Sequence, residues 1–273
     1  MPFVESTLAY LGEATGTPTN YLDVVPPEGV PRFYPRVRQK VRIHDARGLD
    51  LSLDRQGFVL ALDPDGVIPD FRDEQAIQLD YYPAVRRLIR RVAGASKVLV
   101  FDHTHRSSAL AERAGDGTDT AVDEVHNDYT ARSGPERVRE LLLRLAPGED
   151  AANLMANRYA IFNVWRPTNG TVEQKPLALC DMQSMRPTDF VDAVLRWRHR
   201  TGFVCAVQAS PRHLWYYFPA QEPHEASVFK CYDSVEQSGA RFGAHTAFDD
   251  PRSPPGARAR ESIEVRVIAF FEV

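Results

Sequence analysis

The second half of the chain consists almost entirely of short apolar runs with strand composition, and this limits the fold more than any other feature. Residues 158–165, 176–181, 213–218, 227–232 and 262–271 are rich in aromatic and β-branched side chains and are divided by Gly, Pro, Asn and Asp. Residues 37–43, 57–62 and 97–101 add three more such runs, the first two closed by the turn sequences DARG and DPDG. Helical periodicity is concentrated earlier. Residues 73–93 repeat apolar positions at helical spacing, with a break or restart expected at Pro83, and residues 134–145 read as a helix with Pro135 in its first turn. A further helix is expected over residues 188–200, from the capping pair Thr188 and Asp189 to a basic end at Arg198–Arg200. Many short strands that must bury one face each, with few helices, predict a mainly β, α+β fold: a double-stranded β-helix (jelly-roll, cupin-like) core carrying helices on its outside.

The chain of 273 residues reads as a single domain, residues 1–273, with a Pro- and Gly-rich extended arm over 1–35 and the jelly-roll core with its helices over 36–273. The Pro-rich stretch 249–256 is followed by only one more strand, so it is a loop within the domain. A formal charge of −4 argues against nucleic acid or an anionic membrane as partner and leaves a small-molecule substrate. The N-terminus lacks the basic start and apolar core of a signal peptide, and no apolar run approaches the ~20 residues that span a bilayer, so a cytoplasmic location is expected. The three cysteines, Cys180, Cys205 and Cys231, are widely spaced in apolar surroundings and read as reduced core residues.

Residues that carry chemistry gather at strand ends. His126 and Asp128 are two apart in VHNDYT (125–130), and side chains two apart on an extended backbone project to one side, so both can reach one ion. By itself the pair is weak, because eight histidines among many aspartates supply such a spacing by chance. His103 and His105 form a second group after the buried run 97–101, with Arg106 next to them suited to an anionic substrate or to a structural ion pair. A distant histidine, His245, lies in a strand-like apolar setting, and a jelly roll can bring it to His126 and Asp128. Two imidazoles and one carboxylate on one side of an ion leave three open positions, an arrangement suited to non-haem Fe(II) and O2 chemistry. Arg260 and Ser262 point the same way from the last strand, where a guanidinium and a hydroxyl can jointly hold a carboxylate.

His-x-Asp, a distant His, then Arg-x-Ser on the final core strand resembles the Fe(II)/2-oxoglutarate-dependent oxygenase superfamily. The phrases VFDHT (100–104), VHNDYT (125–130), NVWRP (163–167), WYYF (215–218), FKCYDS (229–234) and RESIEVR (260–266) are similar to one branch of it. That branch contains cephalosporin 7α-methoxylase components, gibberellin desaturase and AsaB-type hydroxylase/desaturases, and the resemblance runs from about residue 35 to the C-terminus. It implies a dioxygenase that uses Fe(II), 2-oxoglutarate and O2 to hydroxylate or desaturate a small molecule, releasing succinate and CO2. It further implies His126, Asp128 and His245 as iron ligands and Arg260 and Ser262 as cosubstrate contacts, with Asn163 beside the cofactor and Arg106, Arg166 and Tyr216 toward the substrate. The interval between His245 and Arg260 is longer than in many members, so Arg258 and Arg266 stay open as holders of the cosubstrate carboxylate. Two other classes fit the residues alone: a cupin-like zinc or manganese enzyme that does not use 2-oxoglutarate, and a non-catalytic binding module.

Overall fold

Fourteen strands form two sheets in the computed structural model, which describes residues 1–68, 70–107, 122–236 and 240–272. They are β1 (Phe3–Leu11), β2 (Thr19–Tyr21), β3 (Arg36–Asp45), β4 (Phe58–Leu62), β5 (Lys97–Ser107), β6 (His126–Asn127) and β7 (Tyr159–Pro167), then β8 (Leu177–Cys180), β9 (Phe190–Arg196), β10 (Thr201–Val207), β11 (Trp215–Tyr217), β12 (Glu225–Asp233), β13 (His245–Ala247) and β14 (Glu261–Phe270). The larger sheet has nine strands in the order β1-β3-β11-β8-β13-β6-β10-β9-β2, and the smaller has five in the order β4-β12-β7-β14-β5. This double sheet is the expected jelly-roll-type core, with the strand-rich second half supplying both sheets.

The nine-stranded sheet is curled, and chain length requires it. Its two edge strands, β1 and β2, are joined by residues 12–18 alone, which reach at most about 28 Å when extended. A flat nine-stranded sheet would separate those edges by about 38 Å. Parallel bridges from Ala9 to Glu124 and from Leu11 to Gln208 carry the end of β1 onto the segments next to β6 and β10, closing the curl. The first 35 residues are therefore more than an arm laid over the body, since Phe3–Leu11 pairs along its whole length with β3.

Residues on alternate sides of the strands divide the interior into layers. Phe162, Val164, Ile263, Val265 and Val267 face a core shared with the helix Tyr82–Ala93, whose Val85, Leu88 and Ile89 are fully buried. The turn Glu74–Ala76 and a π-helical stretch Ile77–Tyr81 precede this helix, so the expected interruption at Pro83 becomes a change of helix type with Pro83 in the first turn. Between the sheets lie Ile161, Trp165, Leu179, Phe229, Cys231 and Ile268, capped at one end by Val138, Leu141 and Leu142 of the helix Ser133–Leu145. A third cluster, which includes Leu8, Tyr10, Ile43 and Trp215, occupies the opposite face of the larger sheet. All three cysteines are buried and free, as expected.

The helix expected over 188–200 is absent. A single 3-10 turn, Pro187–Asp189, leads into β9, which pairs with β10 from Phe190 to Arg196. Asp189 does cap a backbone amide, that of Arg186, but Phe190, Val191 and Val194 favour an extended chain with a partner strand, and long-range pairing prevails over the helical spacing.

Candidate metal and cosubstrate site

The register of the larger sheet brings two histidines together. His126 of β6 is directly opposite His245 of β13, and His245 is opposite Leu179 of β8, which in turn is opposite Tyr216 of β11. Directly opposed residues share a face with closely spaced Cβ atoms, and the two imidazole centroids are 4.3 Å apart. Asp128 follows His126 by two positions and turns to the same side. Its Oδ1 lies 3.4 Å from His126 Nε2 and 3.9 Å from His245 Nε2. One ligand atom from each residue falls within 4.8 Å of the others.

The donors are arranged as a metal requires. His126 Nδ1 lies 2.8 Å from the Glu124 carbonyl and His245 Nδ1 lies 3.2 Å from the Gly243 carbonyl. Each ring donates its Nδ1–H to that carbonyl and leaves the Nε2 lone pair facing the shared space. Gly243 lets this segment pack closely on β12, because a Cβ at that position would collide with the Lys230 carbonyl. Phe229 of the facing sheet packs on His245, with ring centroids 4.7 Å apart.

Electrostatics agree with a divalent cation. Burial resists ionisation of Asp128, but the hydrogen bond from His126 and the charge of Arg266 outweigh it and hold the carboxyl well below the usual range. Burial, with the neighbouring His126 charge, pushes His245 down to about 4, so it is a neutral imidazole ready to ligate. Burial also acts against a charged His126, but its hydrogen bond to Asp128 prevails and raises it. Of the two imidazoles His126 is the one whose protonated form is favoured, and a cation bound at the triad competes with that proton.

The smaller sheet presents a facing row. Phe229, Asn163, Arg266 and Asp102 are successive register partners across β12, β7, β14 and β5. Asn163 Nδ2 donates to Asp128 Oδ2 at 2.8 Å, and Arg266 Nε reaches the same oxygen at 3.3 Å. Arg266 also binds Asp102 Oδ1, Thr104 Oγ1 and Glu264 Oε1 at 3.1, 3.2 and 2.7 Å. Arg266 is thus committed to carboxylates of the protein, as is Arg258, which is paired with Glu173 and bonded to the Asn169 carbonyl.

Arg260 differs. It is buried, donates to the Lys175 carbonyl, and lies with its guanidinium over the Trp165 ring, 5.4 Å from the centroid. Among the described residues it has no ion-pair partner. Burial, then the charge of Arg106, lower its pKa to about 10, so it remains a cation at neutral pH. Ser262, two residues on and also on the inter-sheet face, has a buried Oγ with no hydrogen-bond partner among the described residues. A buried cation beside an orphaned buried hydroxyl fits one carboxylate of a small dianion.

The remaining expected site residues separate. Arg106 is opposite Ser262 in the β5–β14 register, on the same side as Arg260. Tyr216 shares the face of His245 but stands two strands away, against Phe58 and His44. Arg166 faces the other way. It is opposite Ile263, is fully buried behind the smaller sheet, and gives its donors to the Asp63 carboxylate, the Tyr81 hydroxyl and the Asp63 and Pro223 carbonyls. This turns its side chain away from the triad, against the expectation that it meets substrate, and commits four of its five N–H groups to protein acceptors. His103 and His105 face that rear side too, bonded to Tyr82 and Thr168, and do not approach the triad. Asp102, Thr104 and Glu264 join the site through Arg266, on whose face of β14 strand alternation places Glu264.

Two imidazoles and a carboxylate between the layers of a double sheet match the facial triad of mononuclear non-haem iron enzymes. A family model described as "Oxidoreductase/YMDC permease-like domain" matches residues 8–270. The hydroxylase/desaturase efuI of Hormonema carpetanum is 33% identical, over 86% of this chain and 84% of its own. The Fe(II)/2-oxoglutarate-dependent dioxygenase nvfI of Aspergillus novofumigatus is 33% identical over 85% of this chain and 83% of its own. A solved structure, of the iron and alpha-ketoglutarate-dependent endoperoxidase NvfI, superposes with a TM-score of 0.86 at 28% identity, covering 99% of both chains. The chain belongs to this oxidoreductase family, within the Fe(II)/2-oxoglutarate-dependent oxygenases and beside their hydroxylase/desaturase members.

Proposed function

We propose that the protein oxidises a C–H position of a small secondary metabolite, by hydroxylation or desaturation, with His126, Asp128 and His245 holding Fe(II) and with Arg260 and Ser262 holding the far carboxylate of 2-oxoglutarate. The observation that carries this reading is the pairing of a His–Asp–His triad on one sheet with an Arg260–Ser262 cradle on the facing sheet that has no carboxylate partner among the described residues. When bound, iron supplies the oxidising chemistry with O2 and 2-oxoglutarate, the latter leaving as succinate and CO2. The chain's own residues bind and orient. Arg260 offers a planar fork to a carboxylate, Trp165 keeps that fork in place, and Ser262 Oγ donates a hydrogen bond. Phe229, Trp165 and Leu179 line the inter-sheet space and exclude water from it. Arg106 stands where it can contact an anionic group of cosubstrate or substrate, and Tyr216 stands on the same sheet face as His245, two strands away. Asn163 acts on Asp128 rather than on the cosubstrate. The chain functions as one domain over residues 1–273. Among the described residues no helix is long and apolar enough to cross a membrane, and the substrate is a diffusible molecule.

A cupin-like isomerase would need the triad but not the cradle, which is why the oxygenase reading is preferred. Anaerobic addition of Fe(II) and 2-oxoglutarate tests it: a weak visible charge-transfer band forms in the wild type, disappears in His126→Ala, and needs more 2-oxoglutarate in Arg260→Ala. Absence of the band from the wild-type protein overturns the reading.

A further inference from the structure

The second oxygen of Asp128 is already spoken for. A carboxylate oxygen offers about two lone-pair directions, and Oδ2 receives Asn163 Nδ2 at 2.8 Å and Arg266 Nε at 3.3 Å. Oδ1 alone faces the two Nε2 atoms. Both donors are themselves fixed. Asn163 is central in β7, fully buried, with its amide oxygen unpartnered, so its contribution is made through the amide nitrogen. Arg266 is held by Asp102, Thr104 and Glu264, so four of its five N–H groups point at protein acceptors.

We infer that Asn163 and Arg266 are positioning residues that make Asp128 a one-oxygen ligand. The consequence is the number of open places on the metal. Six-coordinate iron with two imidazoles and a single carboxylate oxygen keeps three, whereas a carboxylate bound through both oxygens keeps two. A two-point chelate and O2 together require three. The inference rests on the triad being the metal site, and it assigns to Asn163 and Arg266 a role in ligand count that is separate from any role in folding.

The experiment uses Mn(II) in place of iron and counts exchangeable metal-bound waters by ENDOR in 17O-enriched water, with affinity measured by calorimetry. Three waters are expected in the wild type. Asn163→Leu, which keeps the same branched heavy-atom skeleton, and Arg266→Met are expected to retain fewer waters and to bind Mn(II) about 10- to 100-fold more weakly, the range usual for residues that orient metal ligands. Arg266→Lys is expected to restore part of the affinity. Wild-type water count and affinity in Asn163→Leu overturn the inference, and Asn163→Leu serves alone if Arg266→Met does not fold. Mn(II) binding that is unchanged in His126→Ala overturns the metal-site reading itself, and is distinguishable because it does not involve Asn163 or Arg266.

Discussion

His126 and His245 stand directly opposite each other across β6 and β13, and this single register pair sets where the metal sits. A one-residue slip would send one imidazole to the other face of the sheet. The carbonyls of Glu124 and Gly243, each two residues before its histidine, fix the two rings in the same way.

Arg260 and Ser262 are expected to separate by their effects on folding. Arg260→Ala removes a charge-assisted contact worth about 1.5–3 kcal/mol, so 2-oxoglutarate binds the anaerobic Fe(II) protein about 10- to 100-fold more weakly. Ser262→Ala deletes a hydroxyl that has no hydrogen-bond partner among the described residues. Its urea midpoint should be unchanged or raised while 2-oxoglutarate affinity falls several-fold. An unchanged affinity removes the hydroxyl from the cradle.

Arg166→Ala should damage stability and spare binding. The substitution leaves the Asp63 carboxylate buried without its main partner, a loss that costs about 3–5 kcal/mol and lowers Tm by roughly 10 °C. Below the transition, affinities for Mn(II) and 2-oxoglutarate should match the wild type. A weakened ligand affinity with an unchanged Tm would return Arg166 to the binding site.

The metal-free protein should lose stability on mild acidification, partly through His213. Burial holds this imidazole below its ordinary value of 6.5, opposed by the hydrogen bond to Asp189. The unfolded chain therefore takes up the proton first. The stability contribution is complete above pH 6.5, declines as pH falls below it, and levels off beneath the folded-state value. The decline is at most about 1.4 kcal/mol per pH unit. Asp189 and Arg212 are the charges facing the ring. Urea unfolding at several pH values should give a shallower dependence in His213→Gln, and an equal slope would exclude His213 as a contributor.

The sequence made the chemistry more legible than the geometry. His126 and Asp128 are visible as a pair because their spacing matches the strand repeat. His245 becomes a partner only through sheet closure, which no local pattern encodes. Arg166 could have been set aside from sequence: three positions separate it from Asn163, so the two cannot share a face of β7. β9 was hidden because its apolar residues suit both periods and its partner β10 decides between them. β1 was hidden by the prolines at 26, 27 and 31, which dominate the composition of the first 35 residues but all lie beyond that strand.

The closure of the nine-stranded sheet also sets when the site can exist during folding. β6 and β13 meet only after distant segments have been brought together, and the strands that close the curl come from the opposite end of the chain. Such non-local pairings form slowly. A metal ion therefore cannot act as an early nucleus for this chain, and capture of iron with native affinity is itself a report that the whole topology has been completed.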